Sequence, residues 1–213
     1  MSLKINEIYY SIQGESSYSG LPCVFVRLTY CNLRCSYCDT EYAFYEGEDL
    51  KIKDIIKKIN SYKCNLVEIT GGEPLLQKNY IKLIKELEKN GKKVLIETGG
   101  SLTIKNISKN THIILDLKCP SSNMEHKNLW DNLKYIKKTD EIKFVIGNKT
   151  DYDWSKKIIE ENDLENKCLI LMSPVYDKID KEKIINWILK DNLRVRFQIQ
   201  LHKEIWDKDK KGV

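Results

Sequence analysis

The chain has 213 residues, a formal net charge of +5 at pH 7, and 41% hydrophobic and 31% charged residues. This composition is ordinary for a folded globular protein, and the length favours one domain over residues 1–213. No segment approaches the roughly 18 apolar residues of a membrane span, and the lysines alternate with glutamates rather than forming the basic stripe of a nucleic-acid-binding surface.

The N-terminal part of the chain predicts two strands before the first unusual segment. The first half of residues 3–15 alternates between apolar and polar residues as a strand does, until Gln13-Gly14-Glu15 interrupts the pattern. A turn at residues 20–22 precedes the apolar segment Cys23–Leu28, which reads as a second strand. Arg27 lies inside it, so either this arginine has an anionic partner or it is exposed at a sheet edge. Both interpretations remain open at this point.

Three cysteines follow within eight residues, in Cys31-Asn-Leu-Arg-Cys35-Ser-Tyr-Cys38. A tetrahedral zinc site normally takes four protein ligands. A cubane iron–sulfur cluster can use three thiolates and leave its fourth iron open to another ligand. Zinc with a distant fourth ligand, or three ordinary buried cysteines, are the alternatives. Clustered cysteines and the lack of a signal-peptide core predict a reducing, cytoplasmic location with metal ligation rather than disulfides.

The remainder of the chain alternates between predicted strands and helices. Helices are predicted over residues 51–62, from Tyr80 to a stop at Gly91, and over 125–138, 150–163 and 180–191. Strands are predicted at Leu66–Thr70, Lys93–Thr98, Ile113–Lys118, Ile142–Ile146, Leu169–Met172 and Arg194–Leu201. About six strand–helix units are too few for a closed eight-stranded barrel. We therefore predict an α/β fold, a partial (β/α)6 barrel with a mostly parallel sheet and its chemistry at the carboxyl ends of the strands.

The cysteine spacing, the aromatic Tyr37 before the last cysteine and the turn Gly71-Gly72-Glu73-Pro74 resemble the radical S-adenosylmethionine (radical SAM) enzymes. The resemblance implies that Cys31, Cys35 and Cys38 hold a 4Fe–4S cluster whose open iron binds S-adenosylmethionine. One electron would then release a 5′-deoxyadenosyl radical. It further implies that the cofactor is lined by Tyr37, Cys38, Asp39, Gly72, Glu73, Thr98, Ser101, Asp116, Leu117, Lys118, Ser173, Pro174, Val175 and Tyr176.

Within that group, the whole chain resembles the 7-carboxy-7-deazaguanine synthase family, through Ile12–Glu15, Arg27, Cys38–Thr40, Gln200–Lys203 and Trp206. The resemblance implies conversion of 6-carboxy-5,6,7,8-tetrahydropterin into 7-carboxy-7-deazaguanine with loss of ammonia, on the route to queuosine and related deazapurines. Magnesium would be held by the Thr40 hydroxyl. The implied substrate-binding residues are Ile12, Gln13, Gly14, Glu15, Arg27, Thr70, His202 and the terminal Val213, where some relatives end in proline.

Two other functions are compatible with the cysteine spacing. An activating protein for a glycyl-radical enzyme would need a groove for a peptide loop and would have no use for Gln13, Glu15, Arg27 and His202. A non-catalytic iron–sulfur or zinc module would bind the metal without cleaving the cofactor. For the synthase, the resemblance also implies a homodimer and an electron donor such as flavodoxin or ferredoxin, with no nucleic-acid or membrane partner. Cys64, Cys119 and Cys168 are predicted to be buried small hydrophobic residues.

Overall fold

A nine-stranded sheet forms the frame of the computed structural model, which describes residues 1–213. The strands are β1 Ser2–Ile12, β2 Pro22–Leu28, β3 Glu48–Lys51, β4 Leu66–Gly71, β5 Lys93–Thr98, β6 His112–Leu117, β7 Glu141–Ile146, β8 Leu169–Pro174 and β9 Arg196–Phe197. The α-helices are α1 Ile52–Ser61, α2 Tyr80–Lys89, α3 Lys149–Glu161, α4 Leu164–Lys167, α5 Lys181–Asp191 and α6 Leu201–Ile205.

The sheet is parallel along most of its width. Its strand order is β3-β1-β2-β4-β5-β6-β7-β8-β9, and every neighbouring pair from β2 to β9 is parallel. Only β1 is antiparallel to its neighbours β2 and β3. The predicted α/β class with a mostly parallel, unclosed sheet is confirmed. The carboxyl ends of the parallel strands lie along one edge, which is where ligands bind in sheets of this kind.

The helices bury their apolar faces on the sheet, as their periodicity predicts. In α1, Ile55 and Ile59 are fully buried, and in α2, Leu83 and Leu87 are fully buried, while the lysines between them face solvent. These residues belong to one continuous core of 40 buried hydrophobic residues. No helix combines the length and the hydropathy needed to cross a membrane.

The predicted helix over residues 125–138 is wrong. The segment contains only two short 3-10 helices, Glu125–Lys127 and Trp130–Lys134. The Asn128 side chain bonds both backbone groups of Lys118 at 2.9 Å, and the Asn132 side chain bonds backbone groups of the segment 100–104. These long-range bonds hold the segment against the ends of β5 and β6, and asparagine has little intrinsic preference for the helix.

The last predicted strand, Arg194–Leu201, is also mostly wrong. Only Arg196 and Phe197 pair with β8, and helix α6 begins at Leu201. The chain turns there because the Leu201 N–H donates to the carbonyl of Gly14 at 2.9 Å. This contact brings the C-terminal residues over the strand ends, so that the carboxyl terminus reaches the site described next.

Candidate active site

A cavity of about 670 Å³ lies at the carboxyl ends of the parallel strands. It brings together nearly all the residues that the sequence assigned to the site. Those that line it are Ile12, Gln13, Gly14, Glu15, Arg27, Cys31, Cys35, Tyr37, Cys38, Asp39, Thr40, Thr70, Gly72, Thr98, Asp116, Lys118, Ser173, Pro174, Val175, Tyr176, His202 and Val213. Glu73, Ser101 and Leu117 are not on its wall.

The cysteine loop follows β2 and is joined to the segment after β6, because the Ser36 N–H donates to the Ser122 carbonyl at 3.0 Å. Cys31, Cys35 and Cys38 are free, half-buried thiols. The Leu33 N–H lies 3.4 Å from the Cys31 sulfur, and the Thr40 hydroxyl lies 3.8 Å from the Cys38 sulfur. Burial raises the pKa of the Cys35 thiol to about 11 although Lys118 works in the opposite direction. Binding a metal through Cys35 therefore requires this thiol to lose its proton.

The glycine pair after β4 is needed for close packing on this loop. A Cβ on Gly72 would lie 2.3 Å from the carbonyl oxygen of Tyr30 and 2.8 Å from the Cβ of Cys31. A backbone hydrogen bond also joins the turn to the cysteine loop, because the Glu73 N–H donates to the Tyr30 carbonyl at 2.7 Å. Any side chain at Gly72 would displace the first cysteine, which gives the glycine a physical role in shaping the thiol set.

The chemistry of the donor set, three thiols on one loop, suits a cubane iron–sulfur cluster. No group of three or more His, Cys, Asp or Glu side chains converges closely enough to hold a single metal ion. In a cubane cluster each thiolate binds a different iron, so the sulfurs surround the cluster without meeting at one point. A compact zinc site would instead require the donors to converge within about 2.3 Å of one ion.

Several buried polar atoms on the cavity wall lack a partner within the protein. They are the hydroxyl of Tyr37, Oδ1 of Asp116 and the hydroxyl of Ser173. Buried polar side chains are nearly always hydrogen-bonded. These three atoms therefore mark positions that a polar ligand can satisfy, and they lie on the same wall as the thiols.

Glu73 is buried behind this wall rather than exposed on it. Its carboxylate accepts hydrogen bonds from the Thr98 hydroxyl at 2.8 Å, the Gly99 N–H at 2.9 Å and the Leu75 N–H at 3.0 Å. Burial raises its pKa although these donors work in the opposite direction. The carboxylate thus joins the ends of β4 and β5. To bind the ammonium of S-adenosylmethionine, as the sequence resemblance implies, it would have to share or exchange these partners.

Ser101 and Leu117, which the sequence also assigned to the cofactor, make contacts within the protein. The Ser101 hydroxyl accepts a hydrogen bond from the Asn32 side chain at 3.0 Å, which fastens the cysteine loop to the segment after β5. Leu117 is a buried member of the core. Their assignment to the cofactor stays a prediction from sequence.

Arg27 lies on the cavity wall and is not an exposed edge residue. Its Nε donates to Glu7 at 2.7 Å and its Nη2 to the Tyr9 hydroxyl at 3.0 Å, while the Tyr42 hydroxyl donates to the same Glu7 oxygen at 2.9 Å. The anionic partner that the sequence required is therefore Glu7. Because Nη1 has no protein acceptor among these bonds, the guanidinium keeps a free donor edge for a ligand.

A buried charge cluster occupies the inner part of the cavity. The Lys143 ammonium lies 2.8 Å from Glu15 and 3.7 Å from Asp116, and it also contacts Glu97. Burial alone would lower the pKa of Lys143, but these carboxylates raise it well above its ordinary value. Burial opposes ionisation of Glu15, yet Lys143 and the hydrogen bond from Gln200 lower its pKa.

Glu68 stands at the edge of this cluster and behaves oppositely to Glu15. It accepts a hydrogen bond from the Gln13 amide. Burial raises its pKa well above the ordinary value, and the nearby charges of Glu97 and Glu15 raise it further. Both polar atoms of the Gln13 amide are hydrogen-bonded, since its Oε1 accepts from the Glu15 N–H at 3.2 Å.

The C-terminal segment closes the cavity on the side of the crossing from β1 to β2. A Cβ on Gly14 would lie 2.1 Å from Nδ1 of His202, so this imidazole packs directly on the glycine. The Lys203 ammonium pairs with Asp39 at 2.6 Å. The Lys203 ammonium and the Gln200 amide lower the pKa of the Asp39 carboxyl to about 2.

Sequence reasoning gave no site role to several cavity residues, among them Tyr9, Tyr42, Glu68, Glu97 and Lys143, and it used Gln200 and Lys203 only for the family resemblance. A signal was available for Glu68, Glu97 and Lys143. Each is a charged residue in an otherwise mostly apolar strand, which is the feature that singled out Arg27. Such residues are rarely buried without partners. Tyr9 and Tyr42 carried no comparable signal, because aromatic residues are common in strands and turns.

Comparison with known proteins agrees with this geometry. A sequence profile of the Radical SAM superfamily matches residues 26–188. The match includes the cysteine loop, the glycine turn and the strand ends that line most of the cavity. The chain is therefore a radical SAM enzyme, a class whose members use a 4Fe–4S cluster and S-adenosylmethionine.

Full-length relatives define the family more narrowly. The chain is 41% identical to the 7-carboxy-7-deazaguanine synthase of Koribacter versatilis, over 99% of this chain and 100% of that protein. It is 41% identical to the enzyme of the same name from Chlorobaculum tepidum, over 99% of this chain and 97% of that protein. The chain belongs to the 7-carboxy-7-deazaguanine synthase family.

The fold agrees with this assignment. The crystal structure of QueE from Escherichia coli superposes with a TM-score of 0.79 at 24% identity, covering 95% of each chain. The family relationship decides against the two alternatives that the cysteine spacing left open, a glycyl-radical activating protein and a non-catalytic metal module.

Proposed function

We propose that the chain converts 6-carboxy-5,6,7,8-tetrahydropterin into 7-carboxy-7-deazaguanine with loss of ammonia, in a single domain spanning residues 1–213. The observation that carries this proposal is one cavity whose wall contains the three thiols, Arg27, Gln13, Glu15 and His202. The cluster and S-adenosylmethionine would supply the radical that removes a hydrogen atom from the substrate. The protein residues bind and orient the substrate and exclude water.

The wall residues have chemistry suited to each ligand. The donor edge of Arg27 suits the substrate carboxylate, because a guanidinium recognises carboxylates in a planar geometry. Glu15, which Lys143 keeps ionised, suits the amino and ring N–H donors of a pterin. The unpartnered atoms of Tyr37, Asp116 and Ser173 suit the polar groups of S-adenosylmethionine.

The decisive experiment offers the tetrahydropterin to the anaerobically reconstituted, reduced protein. We expect four iron and four sulfide per chain, cleavage of S-adenosylmethionine after reduction, and formation of 7-carboxy-7-deazaguanine with release of ammonia. Cofactor cleavage without any deazaguanine would reject the proposed substrate while leaving the radical chemistry in place. A donor such as flavodoxin or ferredoxin would supply the electron, and the homodimer stays a prediction.

Replacing Arg27 by alanine should lower turnover of the pterin by about a hundredfold, because a charge-assisted bond to the substrate carboxylate is lost. Reductive cleavage of S-adenosylmethionine without substrate, and the iron content, should stay unchanged. Product formation and cofactor cleavage are measured separately by chromatography.

The partner of Arg27 provides the control for this experiment. Arg27→Ala leaves Glu7 as a partly buried, unpaired carboxylate, which the second substitution in Arg27→Ala/Glu7→Gln neutralises. If the double variant turns over the pterin as fast as Glu7→Gln alone, Arg27 only neutralises Glu7. A persistent defect assigns Arg27 to the substrate.

Magnesium is proposed as a further cofactor, with the Thr40 hydroxyl as one ligand beside substrate oxygens and water. Thr40→Ala should raise the magnesium concentration needed for half-maximal activity by about tenfold, since one protein ligand is lost. Thr40→Ser keeps the hydroxyl and should behave like the unmodified chain. Because Thr40 contacts Cys38, the iron content of each variant is measured as well. Unchanged activity after chelation of divalent ions would remove magnesium from the reaction.

A further inference from the structure

The connection between β1 and β2 crosses the concave side of the open barrel. We call residues 13–21 the crossing loop. At its start, Gln13 and Glu15 line the cavity. Further along, it contacts β6 and β7, which are separated from β2 in the sheet by β4 and β5. The loop therefore connects opposite walls of the barrel rather than turning tightly between two adjacent strands.

The loop is fastened to β7 at two levels. Glu141 and Lys143 are two residues apart on the same strand, so their side chains point to the same face. Lys143 holds the Glu15 carboxylate at 2.8 Å. Glu141, nearer the amino end of the strand, accepts a hydrogen bond from the Ser17 N–H at 2.9 Å. Lys143 thus holds Glu15 itself inside the cavity, and Glu141 holds the loop two residues further along, outside the cavity.

The outer anchor is a buried pair at the amino ends of β6 and β7. Nε2 of His112 lies 3.3 Å from the Glu141 oxygen that accepts from Ser17. The ring of Tyr18 packs edge-on against the His112 imidazole, with ring centroids 5.1 Å apart. Glu141 is 1% exposed and His112 is 6% exposed, and neither lines the cavity.

The contacts of this buried pair indicate that it serves to hold the crossing loop. Burial of a carboxylate is unfavourable unless strong hydrogen bonds compensate for it. Glu141 accepts its hydrogen bond from the Ser17 N–H of the loop and lies against Nε2 of His112 at 3.3 Å, while its second oxygen has no partner. By contrast, the adjacent Asp140 bonds the backbone of Ile113 and Lys137 and makes no hydrogen bond to the loop.

We infer that Glu141 and His112 are positioning residues for Glu15. They hold the crossing loop at the amino ends of β6 and β7 and so fix the position and direction of the carboxylate that faces the substrate. The inference rests on the proposed function, because it assigns Glu15 to the pterin.

The test compares three variants of the reconstituted enzyme. Glu141→Ala should raise the KM for the tetrahydropterin by about tenfold, as expected when one hydrogen bond to a charged group is lost. Cofactor cleavage without substrate and iron content should not change. Glu141→Gln keeps an acceptor for Ser17 and should recover most of the loss. Asp140→Asn changes the neighbouring carboxylate and is the matched control, so its KM should equal that of the unmodified enzyme.

Hydrogen exchange supplies a readout that does not depend on turnover. The amides of residues 16–18 should exchange faster in Glu141→Ala than in Asp140→Asn. Equal KM values in all three variants, or the same KM increase in Glu141→Ala and Asp140→Asn, would overturn the inference, as would unchanged exchange in the loop. If the unmodified enzyme makes no deazaguanine, the proposed function fails instead, and the exchange experiment still decides whether Glu141 anchors the loop.

Discussion

Replacing Cys31, Cys35 or Cys38 by alanine is expected to abolish product formation and reductive cleavage of S-adenosylmethionine together. In a 4Fe–4S cluster each of the three thiolates would bind a different iron, so a chain with two of them would leave a second iron without a protein ligand. The cluster then has weaker attachment, and the iron that should bind the cofactor is no longer the single open one. Iron and sulfide analysis after anaerobic reconstitution, with chromatography of the 5′-deoxyadenosine product, measures both losses.

Cysteines outside the loop provide the matched control. Cys64 and Cys119 are buried free thiols that do not line the cavity. Their alanine variants should keep the full iron content and cofactor cleavage, although loss of buried side-chain volume can lower stability. A single-cysteine variant of the loop that retained four iron and normal cleavage would contradict the assignment of that cysteine. One tetrahedral zinc per chain in the unmodified protein would contradict the cluster itself.

Replacing Lys143 by methionine is expected to lower the free energy of unfolding by about 3–5 kcal/mol, the range for breaking a buried ion pair on one side. The ammonium is 7% exposed and lies among Glu15, Glu97 and Asp116. Without it, Glu15 and Glu97 would face each other with no cation between them in a poorly solvated space, whereas Asp116 keeps its pairing with Lys118 at 2.9 Å. Urea unfolding of the unmodified and variant proteins at neutral pH measures the difference.

Two further variants separate this effect from general loss of charge. Lys134→Met removes an ammonium that is 72% exposed and pairs with Asp131, and its urea unfolding should match that of the unmodified protein. Lys143→Met/Glu97→Gln removes one of the stranded carboxylates and should recover part of the loss. Equal destabilisation by Lys134→Met and Lys143→Met would show that the cluster is not strongly coupled.

The buried charges explain where sequence rules and structure disagree. Strands β4, β5 and β7 read as core strands, yet each directs one charged side chain into the cavity, at Glu68, Glu97 and Lys143. Departures from core patterning tend to occur at functional sites, where the ligand or a neighbouring charge compensates. The same pattern that marks these strands as interior therefore also marks which of their residues serve the site.

The sequence by itself determined the cysteine loop, the glycine turn and the class of fold, and its resemblance to the synthase family implied most of the cavity-lining residues. These features depend on spacing along the chain and on strand ends, which parallel pairing brings to one edge of the sheet. Gly72 is an example, since close approach of the turn to the cysteine loop demands glycine wherever the two meet.

Only the tertiary structure decided which polar groups pair. Lys143 and Glu15 are 128 residues apart in sequence, Glu73 turned out to be buried between two strand ends, and the segment 125–138 is held out of an α-helix by distant backbone groups. Helical and strand periodicity predicts only contacts between residues a few positions apart in the sequence. The contacts named above depend on how separate strands pack against one another. For that reason the ligands of the cluster could be named from the sequence, while the partners of the charges around them could not.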